Sequence, residues 1–225
     1  MNILVVDVGG THVKLLATNI SERVKLDSGP GLTPEHMVAA VRAATAGWAY
    51  DAVSIGYPGP VRHNGPAADP HNLGPGWVGF DFGAAFERPV RMINDAAMQA
   101  LGSYEGGRML FLGLGTGLGS AMVLEGLVQP LELAHLPYRR GLTFEDYVGA
   151  TGLERLGRRR WRHYVEDVTA RLLAATQTDY VVLGGGNSKK LDTLPRGARL
   201  GANANAFTGG FRLWDPGAAA PPPPG

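Results

Sequence analysis

Three stretches of this chain place glycines where a strand should end. The first is "DVGGTHVKLL", which sets Asp7 two residues before Gly9, Gly10 and Thr11. The second is "LGLGTGLGS", with Gly113, Gly115, Thr116, Gly117 and Gly119. The third, "YVVLGGGNS", holds Gly184, Gly185 and Gly186. Glycine has no Cβ, so its backbone can approach a ligand closely, and successive N–H groups in a turn form a donor set that binds an anion. A single loop of this kind is ordinarily a hairpin turn. Three of them in one chain point to phosphate. No GxxxxGK[ST] pattern occurs, so the phosphates are not held by a P-loop.

The surrounding elements restrict the architecture. "NILVVDVGG" reads as a buried strand, and "THVKLLAT" continues as an alternating strand. The glycines therefore join strand to strand, whereas a dinucleotide-binding turn needs a helix next. "NISE" is a turn and "RVKLD" a third strand. Thr33-Pro34-Glu35 starts a helix through "EHMVAAVRAATAGW", and "DAVSIGYPGPV" returns to strand before a Pro/Gly loop. "RMLFLGLGTGLGSAMVLEGLVQP" then repeats strand, glycine turn, strand, turn, strand. A long helical stretch, "TFEDYVGATGLERLGRRRWRHYVEDVTARLLAATQ", precedes the strand "YVVLGGGN". Asp7 and Gly113 fall in register, roughly 106 residues apart, so the chain reads as a duplication. The expected lobes span residues 1–105 and 106–214, facing each other across a cleft, with a disordered Pro/Ala tail at 215–225.

Composition narrows the function classes. Of the 225 residues 44% are hydrophobic and 18% charged, which suits a folded core. The formal net charge is +1, so nothing global recommends nucleic acid as a partner. There are no cysteines, which excludes disulfides and thiolate metal sites. No apolar stretch is long enough to span a bilayer, and the first residues lack the pattern of a secretion signal. The expectation is a cytoplasmic protein with no membrane partner.

The motifs together resemble the actin/hexokinase/Hsp70 superfamily of phosphotransferases, and within it the ROK sugar kinases, most of all their polyphosphate glucokinase branch. "DVGGTHVK" and "LGLGTGLGS" are similar to the two phosphate motifs, and "YVVLGGGNS" to the nucleotide-side motif. "MINDAAMQALG" resembles the strand–Asn–Asp–helix catalytic segment. "ELAHL" resembles the Glu-x-Gly-His sugar motif, with Ala134 where glycine is usual. "FEDYVGATGL" resembles the stretch that carries a further sugar-binding glutamate, and "NLGPGW" the sugar-side loop. Many ROK kinases carry a cysteine zinc site after the histidine. Here that segment is "LPYRRGLTF", so zinc is not expected.

The resemblance implies a two-lobe ribonuclease-H-like α/β fold and a kinase that phosphorylates a hexose, foremost glucose at its 6-hydroxyl. The donor would be polyphosphate, ATP or either. Asp95 becomes the candidate base, although an aspartate at that position also caps a helix. Asn72, Asn94, Glu132, His135 and Glu145, with Asp95, become the sugar-binding set. Asp7, Gly9, Gly10, Thr11 and Lys14 fall on the donor phosphates, as do Gly115, Thr116, Gly117 and Gly184 to Gly186. Lys14 could equally face solvent from an alternating strand. Asp7 would position Mg²⁺, directly or through water, since a hard oxygen ligand suits that ion. A homodimer would be in keeping with such proteins, though no stretch marks an interface.

Two features stand apart. Arg158, Arg159, Arg160 and Arg162 surround Trp161, which reads either as a solvated helix face, partly balanced by Glu166 and Asp167, or as a track for a polyanion. "LGANANAFTGGFRLW" reads as a helix packing back on the lobes, with Asn203 or Asn205 as alternative adenine contacts. Rival functions are a sugar-sensing ROK relative without chemistry and a same-fold kinase for an amino sugar or pantothenate. Such regulators carry an N-terminal DNA-binding helix pair, and here the first strand begins by Asn2.

Overall fold

The computed structural model describes residues 1–202 and 204–215. Asn203 and the segment 216–225 lie outside the described residues, and with them the adenine contact suggested for Asn203 and nearly all of the expected tail.

Two compact units form. The first takes Met1–Met98 and the C-terminal residues from Ala206, and the second takes Gln99–Asn205. The first unit opens with β1 (Ile3–Val8), β2 (His12–Ala17), β3 (Val24–Asp27), α1 (Pro34–Ala44) and β4 (Ala52–Tyr57). Next come the short strands β5 (Val61–Arg62) and β6 (Gly65–Pro66), α2 (Phe82–Phe86) and β7 (Val90–Asn94). Helix α3 (Asp95–Ser103) carries the chain from the first unit into the second. The second unit continues with β8 (Arg108–Leu114), β9 (Leu118–Leu124), β10 (Leu127–Leu131), β11 (Pro137–Arg139) and β12 (Leu142–Thr143). Helices α4 (Phe144–Val148) and α5 (Ala150–Thr176) follow, then β13 (Tyr180–Gly184) and β14 (Ala198–Leu200). The last helix, α6 (Asn205–Arg212), groups with the first unit.

The duplication read from the glycine turns reappears as sheet topology. One sheet has the order β3-β2-β1-β4-β7 and the other β10-β9-β8-β13-β14. In each, the first three strands in chain order pair antiparallel and the next two join parallel. Asp7 lies opposite Lys14 and Gly56, while Gly113 lies opposite Gly119 and Gly184. The two positions thus occupy the same place in their respective sheets.

Local chemistry accounts for the elements. All six residues of β1 are buried, as befits a central strand covered on both faces. Thr33 caps α1 through the His36 N–H, with Pro34 in the first turn, where its missing donor costs nothing. This helix stops at Ala44, short of the expected Trp48, and Thr45 turns its hydroxyl back to the Val41 carbonyl (2.8 Å). Trp77 is fully buried against Tyr57 and Phe82, and its Nε1 donates to the Gly74 carbonyl (2.8 Å). On the other face of the first sheet, α6 comes so close that a Cβ on Gly210 would lie 2.5 Å from Val5. The Ser54 hydroxyl completes that contact by donating to the Gly210 carbonyl (2.6 Å).

The cysteine-free segment after His135 folds as the hairpin β11–β12, turning at Arg140 and Gly141, both with positive φ. Tyr138 packs against Phe144 and Tyr147, and Asp167 on α5 gathers the Tyr138 hydroxyl, Arg139 (3.3 Å) and Arg171 (2.8 Å). Arg171, foremost among these donors, lowers the Asp167 carboxyl to about 2. Asp167 therefore stabilises the fold above its unfolded pKa near 4, and this contribution is lost as pH falls through about 2. At its partly exposed position this amounts to about 1 kcal/mol after solvent screening. Asp167→Asn should lower the melting temperature by roughly 2–4 °C at pH 7. The gap should close towards pH 2, and a gap independent of pH would contradict the assignment.

Among the described residues, no helix is long and apolar enough to cross a membrane.

Candidate active site

In the first unit the chemistry collects at the ends of β1 and β7. Asp7 is buried, at 6% exposure, and its Oδ2 accepts from Lys14 Nζ at 2.9 Å. The antiparallel register sets the two residues directly across from each other. Lys14 therefore lies over a carboxylate, half-buried, rather than standing free in solvent. Asp95 opens α3 immediately after β7. Its carboxyl is pushed up to about 7, chiefly by burial and next by the charge of Asp7. Lys14 and the N–H groups of Ala96 and of Asp95 itself oppose that rise.

The capping explanation for Asp95 is answered by its neighbour. Asn94 Oδ1 accepts from the N–H of Ala96 (3.0 Å) and Ala97 (3.2 Å), which makes Asn94 the cap. Asp95 Oδ1 accepts from the adjacent Ala96 N–H (2.8 Å), not from an N–H two or three residues on as a capping side chain would. Asn94 Nδ2 donates to the Gly59 carbonyl (3.2 Å), so both ends of that side chain already serve the fold. Asn72, exposed on its loop, rests against the first glycine turn: a Cβ on Gly10 would meet Asn72 Cβ at 3.2 Å. Glycine at position 10 leaves room for that loop.

The second unit holds the remaining candidates. Gly115, Thr116 and Gly117 form the tip of the β8–β9 hairpin, with Thr116 exposed. Glu145, on α4, turns its carboxylate onto this tip and accepts from the Leu118 N–H (3.0 Å). A Cβ on Gly117 would overlap Glu145 Oε2 at 2.0 Å, so glycine there admits the glutamate. Glu132 and His135 lie in the irregular stretch after β10, both 72% exposed and 3.9 Å apart. Gly184 and Gly185 are accounted for by packing. Side chains there would strike Phe111 at 2.4 Å and the Leu114 carbonyl oxygen at 2.5 Å, whereas Gly186 faces open space. Asn205 Nδ2 donates to Ser103 Oγ (2.8 Å).

The arginine run is balanced differently from the sequence expectation. Arg158 and Arg162 both pair with Asp192, and Arg158 Nε also donates to the Lys190 carbonyl (2.8 Å). Asp167 instead serves the β11–β12 hairpin, and Trp161 is fully buried. Arg159 and Arg160 remain exposed.

Two sheets of identical order, each carrying a glycine hairpin between its first two strands, define the two-lobe actin-like ATPase fold. The family profile described as "ROK family" matches residues 3–130, and the chain belongs to that family. It is 28% identical to a polyphosphate glucokinase from Mycobacterium tuberculosis (strain CDC 1551 / Oshkosh), over 83% of this chain and 78% of that protein. Among solved structures it is similar to an inorganic polyphosphate/ATP-glucomannokinase from Arthrobacter sp. strain KM. The TM-score there is 0.78 at 25% identity, covering 93% of this chain and 96% of the other. A ROK family glucokinase from Streptomyces griseus, in complex with glucose and AMPPNP, superposes with a TM-score of 0.75 at 17% identity. It covers 95% and 99% of the two chains, and that likeness speaks for the fold.

Residues that sequence reasoning passed over are Ser28 and Asn187. Both hydrogen-bond carbonyls of the glycine hairpins. Ser28 follows an edge strand and Asn187 follows the triple glycine, so a polar residue next to a glycine loop was the available signal.

Proposed function

We propose that the chain is a sugar kinase that moves a phosphoryl group from polyphosphate, ATP or either to the 6-hydroxyl of glucose. The observation that carries this reading is Asp95: a carboxyl at a strand end, relieved of capping by Asn94, with its proton affinity raised to about 7 beside Asp7. A base must hold the proton of an alcohol as the oxygen attacks, and a pKa near the working pH suits it best. Asp95 accepts that proton while the hydroxyl oxygen bonds to phosphorus and the bond to the leaving phosphate breaks. Glycine turns in both units supply N–H donors to phosphoryl oxygens, and Lys14 adds positive charge beside Asp7. The family relatives, named for polyphosphate and glucose, support the choice of substrates.

Magnesium fits the donor set. Asp7 keeps Oδ1 clear of any protein donor among the described residues, and hard carboxylate oxygens suit the ion. Bound there, it would neutralise charge on the donor phosphates. Glu132 and His135, exposed and close together, are assigned to sugar hydroxyls. Glu145 holds the Leu118 amide through Oε2 and keeps Oε1 clear of any protein donor among the described residues, so it can accept from a sugar hydroxyl while staying linked to the hairpin.

The test is a coupled assay of the purified protein with glucose, run separately with ATP and with polyphosphate. Formation of glucose 6-phosphate with at least one donor is the expected result. Silence with both donors, while glucose still binds, would instead favour a sugar-sensing ROK protein.

A further inference from the structure

Both glycine hairpins are tied back on one side, by residues outside the turns. In the first unit the Ser28 hydroxyl donates to the Gly9 carbonyl (2.6 Å), and the Ser28 N–H donates to the Thr11 carbonyl (3.0 Å). In the second unit Asn187 Nδ2 donates to the Gly115 carbonyl (2.9 Å), and the Ala150 N–H to the Thr116 carbonyl (3.0 Å). No cis peptide occurs among the described residues. In a planar trans peptide the C=O and N–H point in opposite directions. A tie on the Gly9 carbonyl therefore aims the Gly10 N–H away from Ser28. The same geometry aims the Thr116 N–H away from Asn187 and the Gly117 N–H away from Ala150. None of these three amides donates to a protein acceptor among the described residues.

The ties matter because glycine makes these peptides easy to turn over. A flipped Gly9–Gly10 or Gly115–Thr116 peptide would present a carbonyl oxygen where an anion needs a donor. We propose that Ser28 and Asn187 are positioning residues that lock the two hairpins with their N–H groups outward, ready for phosphoryl oxygens. This rests on the kinase reading above. It adds that donor affinity is set by two side chains that do not themselves touch the donor.

The experiment compares Ser28→Ala, Asn187→Ala and the double variant with wild type, and uses Ser28→Thr as the variant that restores the hydroxyl. Steady-state kinetics are run against each substrate, with tripolyphosphate binding by calorimetry and melting temperatures alongside. Each alanine variant should raise the donor KM and weaken tripolyphosphate about five- to tenfold, as loss of one orienting hydrogen bond implies. The glucose KM should stay within about twofold, with Ser28→Thr near wild type. Wild-type donor affinity in both alanine variants would overturn the inference. A parallel rise in both KM values with a falling melting temperature would do the same, as would a threonine variant no better than alanine. Absence of tripolyphosphate binding and phosphoryl transfer in the wild type would bring down the kinase reading itself.

Discussion

Replacing Asp95 by asparagine should abolish phosphoryl transfer, leave glucose binding intact and make the protein more stable at alkaline pH. The amide is nearly isosteric and can still accept the Ala96 N–H, so the local fold is preserved. It cannot take a proton from an alcohol, and loss of a general base lowers turnover by roughly 10²- to 10⁴-fold. The stability change has the opposite sign. The folded pKa, near 7, lies above the unfolded value of 3.8, so the native state holds the proton more tightly. Between those values the unfolded chain has released its proton and the folded chain has not. Wild-type stability should therefore fall as pH rises from about 4 to 7, then level off. The total amounts to about 1–4 kcal/mol, the lower part of the range allowing for solvent screening. Asparagine removes that slope. Urea unfolding of magnesium-free wild type and variant between pH 4 and 8 measures it. A variant with near-normal turnover, or with a stability curve parallel to wild type, would remove Asp95 from the chemistry.

The second large effect is expected at Gly185. Its backbone sits at φ 78° and ψ 163°, a region that residues with a Cβ enter only at a cost of about 1–3 kcal/mol. A Cβ would also meet the Leu114 carbonyl oxygen at 2.5 Å, the carbonyl carbon at 2.6 Å and the N at 2.8 Å. Those atoms belong to the central strand β8 and have no free side-chain end that could swing aside. Gly185→Ala should cost upward of ~4 kcal/mol, in the range reserved for strain combined with overpacking. Gly186→Ala, one residue on, enters open space and should change stability by less than about 0.5 kcal/mol. Denaturation midpoints of the pair measure the contrast, and equal midpoints would refute it.

The architecture could be read from the sequence because its signals are local and repeated. Glycine turns between alternating strands specify hairpins within a few residues, and their recurrence in register exposed the duplication that the two sheet orders display. Thr33-Pro34 marked the start of α1 for the same reason. The end of that helix was harder, since nothing in "ATAGW" forbids another turn until Thr45 folds back on Val41. The β5–β6 hairpin turns at His63 and Asn64, both with positive φ, and was hidden inside what read as a Pro/Gly loop.

Within the candidate site, the motifs single out residues but carry no information on their hydrogen-bond partners. Glu145 reaches Leu118 across 27 residues, and Asn94 reaches Gly59 across 35. Contacts of that span depend on how strands stack, which local pattern does not encode. The arginine run illustrates the same limit. Glu166 and Asp167 follow the run and read as partly balancing it, yet Asp192 holds Arg158 and Arg162.

Helix α6 comes last in the chain but seals the sheet that forms first, covering Val5 and joining Ser54 through Gly210. On the ribosome, residues 99–205 can close while the earlier sheet still lacks its lid. The nascent chain should therefore show a bare apolar face around Ile3, Val5 and Met98 until the final helix emerges, a window in which chaperones would find it.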